Sequence, residues 1–85
     1  MEIVYTDKAK ADIAYFKKIG DKSIQNKIQV LISDIELHPE TGLGKPEKLK
    51  HQYSGYWSRR INKEHRIIYD VKSVITIYSL RGHYE

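Results

Sequence analysis

Apolar and polar positions follow two different periods along this chain, and the change of period divides it. Ile24, Ile28, Leu31, Ile32 and Ile35 recur at i, i+4, i+7, i+8 and i+11, the clearest helical stripe present. Ala9, Ile13, Phe16 and Ile19 repeat at similar spacing upstream. The pattern predicts a first helix over about Lys8 to Ile19, started by Thr6 or Asp7, whose side-chain oxygen accepts from free first-turn amides. Gly20 suits a left-handed stop. Asp21 or Ser23 caps the second helix. Leu37-His38-Pro39 closes it, because the residue before proline resists helical dihedrals. So short a connection predicts an antiparallel helical hairpin.

Elsewhere the period is two. Ile3-Val4-Tyr5 reads as a short strand. Pro39 to Pro46, with Gly42 and Gly44, reads as a loop. Strand candidates follow at Tyr56 to Ile61, Arg66 to Val71 and Val74 to Leu80, joined by hairpin-length connections at Asn62–His65 and Val71–Ser73. The order β-α-α-β-β-β predicts an α+β fold: a twisted, mostly antiparallel sheet with a two-helix hairpin packed on one face. Ile67, Tyr69 and Val71 share the predicted core face, and Arg66, Ile68 and Asp70 the other. In the last strand both faces are partly apolar, so periodicity does not say which side Arg81 and His83 take.

At 85 residues the chain is expected to form a single domain over 1–85. The formal charge is +4, and the bases concentrate between Lys45 and Arg66, with no acid between Glu47 and Glu64. That distribution fits a nucleic-acid partner better than the net value does. The sequence has no cysteine, which excludes disulfides and thiolate chemistry and leans towards a cytoplasmic location. The N-terminus shows no basic stretch followed by an apolar run, so no signal peptide is expected. No apolar run reaches membrane-spanning length, and no membrane association is expected.

His38, His51, His65 and His83 lack the paired spacing of zinc motifs, so neither metal nor other cofactor is expected. Gly42-Leu43-Gly44-Lys45 continues into Pro46, not into a helix, and is no phosphate loop. Ser54 and Ser58 have no context for a serine nucleophile. Glu47, Lys50, Arg59, Arg66, His83 and Tyr84 remain. RNA carries its own nucleophile, the 2′-hydroxyl. A ribonuclease without metal needs a base for that proton, an acid for the leaving 5′-oxygen and cations for the crowded phosphorane. Tyr53, Tyr56, Trp57 and Tyr84 supply rings on which unpaired bases stack. Each residue also has an ordinary structural use: Glu47 pairing with Lys50, the arginines blunting a sheet edge, Trp57 anchoring a core. The combination is what favours RNA chemistry.

Gly44-Lys45-Pro46-Glu47, Leu49-Lys50-His51, Ser54-Gly55-Tyr56-Trp57-Ser58-Arg59-Arg60-Ile61, Glu64-His65-Arg66-Ile67-Ile68-Tyr69 and His83-Tyr84 resemble the Txe/YoeB toxins of bacterial type II toxin–antitoxin systems, within the RelE-like superfamily of mRNA interferases. The resemblance spans nearly the whole chain. It implies a microbial-ribonuclease-like α+β domain and a metal-independent endoribonuclease that cuts mRNA in the A site of the 70S ribosome and stops translation. It implies Glu47 as general base, Arg66 as the phosphate-steadying cation and His83 as general acid. Lys50, Arg59 and Tyr84 would assist with RNA, and Lys45, Trp57 and Arg81 are expected to join them. A YefM/Phd-type antitoxin is the implied partner, with operator DNA met only through the antitoxin complex, and a homodimer is compatible. The alternatives are a non-catalytic RNA- or antitoxin-binding module of the same fold, and a topoisomerase-poisoning relative of the ParE branch. Two positions depart from the family pattern: Gly82 replaces an aromatic residue between Arg81 and His83, and Glu85 follows the terminal tyrosine.

Overall fold

The computed structural model describes residues 1–82. Its elements run β1 (Ile3–Tyr5), α1 (Asp7–Lys18), α2 (Lys22–Leu37), β2 (Glu47–Lys48), β3 (Trp57–Arg60), β4 (Arg66–Val71) and β5 (Ile75–Ser79), with a 3-10 turn at His51–Tyr53. The strands form one sheet in the order β1-β5-β4-β3-β2. β1 lies parallel to β5, and the other neighbours pair antiparallel.

Local chemistry sets the helix ends. The Thr6 hydroxyl accepts from Ala9 N–H at 3.1 Å and donates to the Tyr78 carbonyl at 2.9 Å, so one side chain caps α1 and ties it to β5. Asp21 caps α2 by accepting from Ile24 N–H at 3.0 Å. Both helices turn their stripes onto the same face of the sheet. Ala9 and Phe16 of α1 and Ile28, Leu31 and Ile35 of α2 pack with Ile67, Tyr69, Ile75 and Ile77 of the sheet. Burial of each large apolar side chain contributes about 1.5–3 kcal/mol before entropy is counted. The other face carries no helix, and it is the face on which chemistry can be presented. No helix among the described residues is long and apolar enough to cross a membrane.

The predicted α+β order holds, with one added strand. β2 comprises Glu47 and Lys48, both exposed, and lies against Ser58 and Trp57 of β3. Two charged residues give no alternating apolar signal. The strand exists because the loop delivers them to the open edge of β3.

Candidate nucleic-acid interface

The antiparallel ladders decide which side chains share the helix-free face, because directly opposed residues point the same way. Glu47 is opposed to Ser58, Ser58 to Ile68, and Arg60 to Arg66. Ser58 and Arg60 are two apart on β3, so Glu47, Arg60 and Arg66 lie on one face. Strand spacing and rise put the Cα atoms of Glu47 and Arg66 about 12 Å apart. That span suits a carboxylate and a guanidinium reaching towards one phosphodiester between them. Tyr56 is half-buried beside this surface, its ring edge-on to Tyr78 with centroids 5.2 Å apart. The Tyr78 hydroxyl donates to Asp70 at 2.8 Å, and this bond, ahead of burial, raises the phenol above its ordinary pKa.

The segment that carries Glu47 and Lys50 is held between two strained residues. Lys45 has φ 53° and His51 has φ 59°, the non-glycine residues with positive φ among those described. The left-handed region costs an ordinary residue roughly 1–2 kcal/mol, and such strain collects at functional segments. Residues 47–53 line a groove of about 570 Å³ that includes exposed Glu47 and Lys50 and half-buried Tyr53.

Arg59 corrects the sequence reading. Expected to hold RNA, it is fully buried on the helix side. Its guanidinium spends all five N–H donors inside the protein. Nε donates to the Tyr69 hydroxyl at 3.0 Å, Nη1 to Asp34 Oδ2 at 2.6 Å and the Leu43 carbonyl at 2.7 Å, and Nη2 to the His38 and Thr41 carbonyls. The Tyr69 hydroxyl in turn donates to the Pro39 carbonyl at 2.7 Å. Arg59 is therefore the clamp on the 38–43 loop. That loop leads to Gly44, whose carbonyl accepts from Arg60 N–H at 2.7 Å, and then to Glu47. Close packing fixes Gly42 here: a Cβ on it would meet Asp34 Oδ2 at 2.2 Å.

Trp57 and Arg81 also fall elsewhere than expected. Trp57 shares the parity of Arg59, is opposed to Tyr69 and packs half-buried against the core, so it lies on the face opposite Glu47 and Arg66. Arg81 lies over the ring of Tyr15 on α1, 3.6 Å from its centroid. His83 and Tyr84 lie outside the described residues. Gly82, which precedes His83 in sequence, is tied beside Arg66: its carbonyl accepts from Arg66 N–H at 3.2 Å, and its N–H donates to His65 Nδ1 at 2.8 Å. The approach to that point is fixed by buried Asp12 of α1, which accepts from Leu80 N–H at 2.9 Å.

Comparison with known proteins decides the family. Residues 5–84 match the model described as "YoeB-like toxin of bacterial type II toxin-antitoxin system". This chain belongs to the YoeB-like toxins. It is 43% identical over 86 residues to Toxin YoeB of Synechocystis sp., covering 100% of this chain and 99% of that one. The structure of a YoeB/ParE toxin from Agrobacterium tumefaciens superposes with a TM-score of 0.93 at 38% identity, covering 99% of this chain and 100% of that one. A YoeB chain in the heterotetrameric YoeB–YefM complex from Staphylococcus aureus superposes at 0.86 with 42% identity, covering 99% and 98% of the two chains.

In this YoeB-like toxin, Arg60 is a cation on the face of Glu47 and Arg66 that the sequence reading passed over. A signal for it was present. Trp57 and Ile61 flank Arg59 at i−2 and i+2, so parity assigns Arg59 to the apolar face and Arg60 to the face of Glu47.

Proposed function

We propose that this toxin is a metal-independent endoribonuclease that cleaves mRNA in the ribosomal A site. Glu47 takes the proton of the 2′-hydroxyl, whose oxygen attacks the adjacent phosphorus. Arg66 and Arg60 offset the charge that develops on the phosphorane oxygens. His83 gives a proton to the departing 5′-oxygen. The products are a 2′,3′-cyclic phosphate and a 5′-hydroxyl end. Lys50, Lys45 and Tyr84 grip the strand, and Tyr56 offers a ring to a base. The observation that carries this reading is the common face of Glu47, Arg60 and Arg66 across three adjacent strands. A bidentate guanidinium suits the phosphate.

The partner in this reading is a YefM-type antitoxin, as in the solved staphylococcal complex. In this reading the antitoxin silences the protein by covering the face of Glu47. The setting is the bacterial cytoplasm. End-group analysis of mRNA from programmed ribosomes tests the chemistry. Cyclic phosphate and 5′-hydroxyl ends that appear with the parent and vanish with Glu47→Gln support it. Uncut mRNA with a properly folded parent protein opposes it.

A further inference from the structure

A second groove, of about 470 Å³, opens where Lys27 of α2, Lys45 of the loop before β2, Arg60 at the end of β3 and Lys63 of the β3–β4 turn meet. All four cations are exposed, and none forms an ion pair among the described residues. Among the described residues no acid lines the groove. Asp34, against which the same loop packs, is committed to Arg59 and to Leu43 N–H.

Gathering four like charges costs stability through repulsion. Lys45 adds a left-handed backbone, φ 53°, directly before Pro46, where extended conformations are favoured. Two costs converge on one groove, and an anion that binds there would offset the first. Neutral donors stand ready as well. Asn62 uses its carbonyl oxygen to accept from Glu64 and His65 N–H, at 2.8 Å each, which leaves its amide N–H₂ group for a ligand.

Arg60 belongs to this groove and is also opposed to Arg66 on the face that carries Glu47. Arg60 is thus shared between the groove and the candidate site. We infer that it binds the phosphodiester backbone of the RNA strand beyond the scissile linkage, a conclusion that rests on the endoribonuclease reading. An acidic peptide is the less suitable occupant. Peptides that dock as helices or strands need apolar anchor pockets, and the apolar wall here is Ile61, itself only 6% exposed.

The test uses the full chain, fully 2′-O-methylated (uncleavable) RNAs of 6 and 18 nucleotides, and fluorescence anisotropy across a salt series. Lys27→Gln combined with Lys63→Gln touches neither Glu47 nor Arg66. The double variant should bind the 18-mer about tenfold more weakly at low salt, with the slope of log K against log salt smaller by about 1.4, as expected when two phosphate contacts to a single strand are lost. Its affinity for the 6-mer should be unchanged. Unchanged 18-mer binding, or equal losses for both lengths, would overturn the inference. So would a glutamate-rich peptide that binds the parent more tightly than the 18-mer and loses that binding in the variant, since the groove would then serve a protein. Cleavage of ribosome-bound mRNA by the parent is read in parallel. If cleavage is absent while the length-dependent binding holds, the catalytic reading fails and the groove stands.

Discussion

Buried Arg59 donates to half-buried Asp34 across 2.6 Å in an ion pair that joins the third strand to the second helix. The loop that both residues hold leads directly to Glu47. The pair sits on the opposite side of the sheet from Glu47, Arg60 and Arg66, so its influence on that face is through position. The neighbouring Arg60 is exposed and opposed to Arg66. Adjacent arginines thus divide the work of the strand, one inward and one outward.

Replacing the two arginines should separate those roles. Arg59→Ala leaves a carboxylate and several loop carbonyls without their donor and should cost about 3–5 kcal/mol of folding stability. Arg59→Lys should recover little of it, because an ammonium cannot span five acceptors in a fork. Arg60→Ala should change stability by no more than about 0.5 kcal/mol, as exposed substitutions do. It should weaken cleavage and RNA binding. Urea denaturation beside single-turnover cleavage reads both.

The carboxylate of Asp34 sits below its ordinary pKa, chiefly through the hydrogen bond from Arg59 and then through Leu43 N–H. Its folded value is lower than its unfolded value. The stability it contributes is therefore present above the unfolded carboxylate pKa and is lost as pH falls through the depressed folded value. The urea midpoint of Asp34→Asn should lie below that of the parent at neutral pH, and the gap should close as the buffer is acidified. A gap that stays constant down to strongly acidic pH would contradict the assignment.

Tyr69→Phe removes the hydroxyl that accepts from Arg59 and donates to the Pro39 carbonyl. One buried donor and one carbonyl lose their partner, so the loss should be about 1–3 kcal/mol. Thermal denaturation measures it. Because the ring remains, secondary structure by circular dichroism should match the parent.

Lys45→Gly relieves a left-handed backbone at φ 53° and removes a cation. The two consequences have opposite signs. Folding stability should rise by roughly 1 kcal/mol, while affinity for single-stranded RNA falls and its salt dependence shrinks. A variant that loses both stability and affinity would show that the Lys45 side chain packs and does not merely project.

Much of the fold was legible in the sequence. Both helices follow from their apolar stripes and caps, and β4 was placed at Arg66–Val71 as observed. Its faces were sorted correctly because Ile67 and Tyr69 alternate with Arg66 and Asp70. β2 escaped because Glu47 and Lys48 carry no apolar signal, and its existence depends on a long-range ladder to β3. Glu47 and Arg66 stood out in the sequence as candidates, yet their common face became visible only through the pairing register. Arg59 was read as outward because charge alone says so, and only parity with Trp57 and Ile61 says otherwise. Arg81 was undecided for the same reason: both faces of β5 are partly apolar, and stacking on Tyr15 settles it.

The central claim is that Glu47 and Arg66 act on one phosphodiester from a shared face of the sheet. Single-turnover cleavage of mRNA on programmed ribosomes by Glu47→Gln, with urea stability checked alongside, tests it most directly. The account predicts a rate lower by about a hundredfold or more, the usual worth of a positioned general base, at unchanged folding stability. A stable Glu47→Gln protein that cuts at the parent's rate would contradict it.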